Sequence, residues 1–141
     1  MLKHIPNNIS PELMKVLMEM GHGDEIVIAD GNFPAASHTE RLVRLDGHSI
    51  PPLLESILMY FPLDTFVLCP VTYMATPEGD PTPEIWNKYE EILIESGEEN
   101  IGTVEIDRFA FYDRAKEAYA IISTSESALY ANVILKKGVV R

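Results

Sequence analysis

The sequence is short of positive charge. Its 141 residues contain 11 Lys and Arg against 22 Asp and Glu, which gives a formal net charge of −11 at pH 7. A protein of that charge repels phosphate backbones and anionic lipid surfaces. We therefore expect neither a nucleic acid nor a membrane among its partners.

Cysteine and long apolar stretches are also scarce. Cys69 is the only cysteine, so the chain forms no internal disulfide and gives no sign of an oxidising compartment. No apolar stretch approaches the roughly 18 residues that a membrane span requires, and the N-terminus lacks the apolar region of a signal peptide. The expected location is the cytoplasm, and the expected place of Cys69 is the hydrophobic core.

The common motifs for cofactors and nucleophiles are missing. Neither glycine-rich phosphate loop occurs, GxGxxG or GxxxxGK followed by Ser or Thr, and the GxSxG motif of serine hydrolases is absent as well. No His pair, Cys pair or EF-hand spacing indicates a metal site. The sequence therefore predicts a protein that works without a cofactor and without a metal ion.

What the sequence does contain is a regular alternation of helical and strand patterns. Hydrophobic residues make up 46% of the chain and charged residues 23%, the proportions of an ordinary globular protein, and the length fits a single domain over residues 1–141. Helices are predicted to begin at Ser10-Pro11, near Ser49, at 84 and after Asp107. Six strands are predicted from apolar runs: "EIVIAD", "RLVRL", "TFVLCPV", "GTVEI", "AIIST" and "NVILK". The alternation predicts the α/β class, as a three-layer α/β/α sandwich with a mixed, largely parallel sheet.

Several candidate catalytic or ligand-binding side chains lie at the ends of these helices and strands. Ligands of α/β proteins collect at the carboxyl ends of strands, and Asp30 ends the first one. His22, in the preceding turn, is either an acid–base group or a cap on the helix before it. Tyr130 and Asn132, just before the last strand, each offer hydrogen-bond donors and acceptors. Asp24 is more simply a turn residue that binds backbone amides.

Arg108 is out of place in the first turn of its predicted helix, where a cation opposes the helix dipole. Its position would be explained either by an ion pair with a carboxylate such as Glu105 or by hydrogen bonds to ligand oxygens, and we favour the ion pair. The aromatic residues that follow are predicted to belong to the core: Phe109, Phe111, Tyr112 and Tyr119.

Three stretches together resemble the sugar mutarotases of the fucose mutarotase and ribose pyranase family: "ISPELMKVLMEMGHGDEIVIADGNFP", "DRFAFYDRA" and "LYANVILKKGV". The resemblance implies a ribose pyranase-like fold, cofactor-free interconversion of sugar anomers, and a homo-oligomer, commonly a decamer. It also implies that His22 is the acid–base and that five residues bind the sugar: Asp30, Arg108, Tyr130, Ala131 and Asn132. We therefore expect His22 to face the pocket in which Asp30 lies.

The segments differ in the sugar that they favour. "GHGD" and "RFAFY" are typical of members that act on L-fucose, whereas Ala131 stands where fucose-type members often have glycine and ribose pyranases have alanine. L-Fucose is the favoured substrate. D-Ribose pyranase activity and a sugar-binding assembly protein without turnover are the alternatives.

Overall fold

Five helices and six strands make up the computed structural model, which describes residues 1–141. The helices are α1 (Pro11–Glu19), α2 (Ala35–His38), α3 (Ile50–Leu58), α4 (Glu84–Glu95) and α5 (Arg108–Glu117). The strands are β1 (Glu25–Ala29), β2 (Leu42–Leu45), β3 (Val71–Met74), β4 (Thr103–Ile106), β5 (Ala120–Thr124) and β6 (Val133–Lys136). None of the five helices combines the length and the hydrophobicity that a membrane span requires.

The strands form one mixed sheet in the order β2-β5-β1-β6-β3-β4. Strand β6 runs antiparallel to β1 and β3, while the other neighbouring strands are parallel. The carboxyl ends of the parallel strands therefore lie along one side of the sheet, here called the carboxyl edge. Three residues lie there: Asp30 after β1, Asp107 after β4 and Asn132 before β6. The opposite edge, the amino edge, carries the turn before β1 and Lys137 after β6.

Helices cover both faces of the sheet, as the predicted three-layer sandwich requires. Alternate residues of β1 point to opposite sides: Ile26 and Ile28 join a core cluster with α1, α3 and α4, and Val27 and Ala29 join a second cluster with α2 and α5. All four are fully buried. This confirms the prediction that the apolar run of β1 is covered on both faces.

The predicted helix starts are confirmed at two important places. The Ser10 hydroxyl oxygen accepts a hydrogen bond from the Leu13 amide at 3.1 Å, and Pro11 is the first residue of α1. At α5, Oδ1 of Asp107 accepts from the amides of Phe109 and Ala110, each at 3.0 Å. Both caps satisfy backbone donors that the first turn of a helix leaves free.

The prediction of a buried strand over "TFVLCPV" was wrong. Residues 65–69 form an irregular segment at the amino edge, in which Phe66 is 66% exposed and Leu68 is 91% exposed, and β3 begins only at Val71. Pro70 has no amide hydrogen to donate to a ladder, so the strand starts after it. Cys69 is half-buried rather than in the core. Phe109, also predicted for the core, is 65% exposed, whereas Phe111 is fully buried.

Candidate functional site

Asp30 is a buried carboxylate at the carboxyl edge. Only 5% of the surface of Asp30 is exposed. Its backbone amide donates a hydrogen bond to Oδ1 of Asn132 at 2.7 Å, and its side-chain Oδ1 accepts one from the Asn32 amide at 3.0 Å. Burial raises the pKa of Asp30, and hydrogen bonds from the amides of Asn32 and Ala131 oppose that rise. A carboxylate in this setting favours a ligand that donates hydrogen bonds to it.

Tyr130, Ala131 and Asn132 lie directly beside Asp30. Because β6 is antiparallel to β1, with Val133 opposite Ile28, the residues that precede β6 meet the residue that follows β1. Ala131 and Asn132 are buried, and Tyr130 is half-buried. The sequence singled out these residues, and the reversed direction of β6 is what brings them to Asp30.

Arg108 is the first residue of α5 and lies at the same carboxyl edge, because α5 follows the end of β4. The predicted ion pair with Glu105 is wrong: Arg108 belongs to none of the four ion pairs in the structure. Its side chain is exposed, and the guanidinium carbon is 4.8 Å from the centre of the Phe109 ring. Its hydrogen-bond donors therefore remain available to a ligand.

His22 lies at the amino edge and is paired with a residue that the sequence analysis missed. Its Nε2 is 3.1 Å from Oδ1 of Asp64, and its ring centre is 5.2 Å from that of Phe66. The His22 side chain is 45% exposed, whereas that of Asp64 is 3% exposed. In this pair, the buried Asp64 carboxylate orients a histidine ring that remains partly exposed to solvent.

Asp64 also determines which nitrogen of His22 is available. Burial would raise the pKa of Asp64, but hydrogen bonds from the Phe66 amide and from His22, together with the His22 and Lys136 charges, outweigh burial and lower it. Asp64 is therefore an ionised, acceptor-only group at neutral pH. In the neutral imidazole, Nε2 must then carry the proton that is donated to Asp64, and Nδ1 keeps its lone pair free.

Within one chain, His22 and Asp30 do not meet. His22 precedes β1 and Asp30 follows it, and at a rise of about 3.3 Å per residue the five-residue strand separates the two edges by about 13 Å. The expectation that His22 faces the pocket of Asp30 was therefore wrong for a single chain. An extended strand necessarily places the residues before and after it at opposite edges of the sheet.

Residues 3–140 match the RbsD / FucU transport protein family. The chain belongs to this family. It is 47% identical over 145 residues to the fucose mutarotase of Mus musculus, covering 97% of this chain and 94% of that protein. It is also similar to the fucose mutarotase of Streptococcus pneumoniae, whose crystal structure was determined in complex with L-fucose. The two sequences are 52% identical, and the two structures superpose with a TM-score of 0.96 over 99% of this chain and 100% of that one.

A more distant member of the RbsD / FucU family is also similar in structure. The RbsD protein of Bacillus subtilis complexed with D-ribose is 25% identical, with a TM-score of 0.79 and full coverage of both chains. The fold class is thus confirmed as that of this family, and the identities place the chain nearer to the fucose mutarotases than to this ribose-binding member.

Asp24 is a turn residue as predicted, because its Oδ2 accepts from the Gly21 amide at 2.8 Å. No three His, Cys, Asp or Glu side chains lie together in a way that could hold a metal ion. Asp64 carried no usable signal in the sequence, since it lies 42 residues from His22 and outside any recognisable motif.

Proposed function

We propose that this chain is an L-fucose mutarotase, an isomerase that interconverts the α and β anomers of L-fucose without a cofactor. The observation that carries the proposal is the similarity, over almost the whole chain, to the L-fucose-bound fucose mutarotase structure. The chemistry of the two edges is consistent with it: one edge offers polar groups suited to hydroxyls, and the other offers an oriented histidine.

The sugar is bound at the carboxyl edge. Asp30 accepts hydrogen bonds from sugar hydroxyls, and Arg108 donates to sugar oxygens with a guanidinium that no protein carboxylate occupies. Asn132 and Tyr130 supply further donors and acceptors beside Asp30. Ala131, which is fully buried between them, bounds the pocket with its backbone and methyl group.

His22 carries the proton transfer. Its free Nδ1 accepts the proton of the anomeric hydroxyl while the Tyr130 hydroxyl or a bound water donates a proton to the ring oxygen, so that the bond from the anomeric carbon to the ring oxygen breaks and an aldehyde forms. Rotation about the adjacent carbon–carbon bond presents the other face of the aldehyde. Reclosure returns both protons and gives the opposite anomer with no net change in atoms. Acid–base catalysis of this kind contributes roughly 10² to 10⁴ in rate.

A neighbouring copy of the chain brings His22 to the sugar. The separation of His22 and Asp30 at opposite edges of one sheet supports this arrangement, and so does the decameric homo-oligomer that the resemblance implies. Exposed apolar side chains at both edges also support contact between copies. Phe66 and Leu68 lie near His22, and Phe109 and Leu129 lie near the sugar site. The location proposed for this assembly is the cytoplasm.

D-Ribose pyranase activity is the second candidate. Ala131 favours it, because ribose pyranases carry alanine at the corresponding place, and the ribose-bound RbsD structure shares the fold. Both activities open and close a sugar ring, so one site can serve both.

Exchange NMR on sugar mixtures tests these candidates. Saturation transfer between the α and β signals of L-fucose should rise in proportion to protein concentration, and the acceleration should be smaller for D-ribose and D-galactose. A larger acceleration for D-ribose would favour the pyranase. The absence of any acceleration, together with saturable binding of L-fucose, would favour a sugar-binding protein without turnover.

A further inference from the structure

The backbone at Tyr130 adopts a conformation that its own side chain disfavours. Its φ is +55°, in the left-handed region, which only three non-glycine residues of the chain occupy. A residue with a bulky side chain stays in that region only where its surroundings hold it there. The surroundings of Tyr130 should therefore contain groups that fix this turn.

Two aromatic side chains of α4 meet that requirement. Nε1 of Trp86 donates to the carbonyl oxygen of Tyr130 at 2.8 Å, and the hydroxyl of Tyr89 donates to the carbonyl oxygen of Ala131 at 2.7 Å. The two donors thus hold consecutive peptide carbonyls of the turn. Trp86 and Tyr89 are themselves buried, with Tyr89 fully inaccessible to solvent.

A third ring supports the pair from the sheet. The Tyr73 ring on β3 stacks on Trp86 with ring centres 4.8 Å apart and an interplanar angle of 19°. The Tyr73 hydroxyl donates to Oε1 of Glu90 at 3.2 Å and makes no bond to the turn. Burial strongly raises the pKa of the Tyr89 hydroxyl, which stays protonated and able to donate.

We propose that Trp86 and Tyr89 are positioning residues for the sugar site. By holding the carbonyls of Tyr130 and Ala131, they fix the left-handed turn and so set the direction of the Tyr130 side chain relative to Asp30. Asn132 is secured separately, through the bond from the Asp30 amide. The inference rests on the proposed function only in naming the sugar as the ligand; the fixing of the turn does not depend on it.

The Tyr89→Phe variant tests the inference, with Tyr73→Phe as the matched control. Both changes remove one buried tyrosine hydroxyl from the same aromatic cluster, but only Tyr89→Phe frees a carbonyl of the turn. We expect Tyr89→Phe to lower kcat for L-fucose anomer exchange about tenfold, the effect of losing one hydrogen bond to a buried group, with KM nearly unchanged. Tyr73→Phe should keep both values near those of the wild type.

Hydrogen–deuterium exchange supplies a readout that needs no sugar. The amides of residues 129–132 should exchange faster in Tyr89→Phe and in Trp86→Phe than in the wild type, and should be unchanged in Tyr73→Phe. Equal exchange rates in all four proteins would overturn the positioning role, whatever the sugar activity. If the wild type failed to accelerate fucose exchange while the amide pattern held, the proposed function would fail and the fixed turn would stand.

Discussion

At the scale of single residues, we assign His22 and Asp30 different tasks at different places. Asp30 is buried and bound to backbone amides, which suits a group that holds a ligand, whereas His22 is open on one side and oriented by Asp64. The two residues should therefore respond differently to substitution.

Replacing His22 by asparagine should abolish turnover and spare binding. We expect His22→Asn to lower the L-fucose exchange rate by roughly 10² to 10⁴, because asparagine can donate to Asp64 but cannot transfer a proton. The dissociation constant for L-fucose, measured by calorimetry, should change little. His4→Asn is the control, since His4 is exposed and asparagine tolerates its positive φ. Full exchange activity in His22→Asn would remove His22 from the mechanism.

Asp64 should make the protein sensitive to acid. Because its pKa is lower in the folded state than in the unfolded chain, its stabilising contribution is present above about pH 4 and is lost as the pH falls through the lower, folded-state value. Melting temperatures measured from pH 7 down to pH 2 should fall more steeply for the wild type than for Asp64→Asn. Parallel curves would show that Asp64 is not held in its ionised form.

The residues that the sequence identified are those whose chemistry is visible in a local pattern. Asp30 follows an apolar strand, Asn132 precedes another, and Asp107 precedes a helix, so each could be predicted from its immediate neighbours. Asp64 could not, because its role depends on a contact with His22 across 42 residues. The exposure of Arg108 was missed for the same reason, since the absence of a partner is a property of the folded chain.

At the scale of helices and strands, the N-cap predicted at Asp107 bears directly on the candidate site. Asp107 precedes α5 and holds the first turn, in which Arg108 lies. The strand predicted over "TFVLCPV" was wrong because an apolar run is buried only when another part of the structure covers it. Residues 66–68 lie exposed on a single chain. An apolar segment that contacts another subunit cannot be told from a core strand by its composition.

Removal of the α5 cap should cost stability and weaken sugar binding together. We expect Asp107→Ala to lower the free energy of unfolding in urea by about 1 kcal/mol, the usual cost of losing a helix N-cap. The Kd for L-fucose should rise, because the turn that carries Arg108 loses its anchor. Asp113→Ala, an exposed aspartate in the middle of the same helix, is the control and should leave both quantities within experimental error. An equal effect of the two substitutions would contradict the role of the cap.

At the scale of the whole molecule, the separation of the two edges means that the proposed mechanism requires an assembly of chains. A single chain holds an oriented histidine at one edge and the residues proposed to bind the sugar at the other, with β1 between them. A closed ring of copies can place the amino edge of one chain against the carboxyl edge of the next. The separation of His22 and Asp30 follows from the position of β1 alone. The strand order that brings Asn132 and Arg108 to the edge of Asp30 depends on long-range pairing, and local sequence patterns could not predict it.

The mixing of two inactive variants tests the proposed shared site most directly. His22→Asn and Asp30→Asn should each be inactive alone, but after the two chains are refolded together, roughly a quarter of the sites in randomly mixed oligomers should combine an intact His22 with an intact Asp30. A mixture of His22→Asn with Asp64→Asn is the control. Its exchange rate should not exceed the average of the two separate variants, because both changes damage the same edge. We predict that L-fucose exchange returns to about a quarter of the wild-type rate in the first mixture. No recovery there, with mixed oligomers present, would contradict a site built from two copies of the chain.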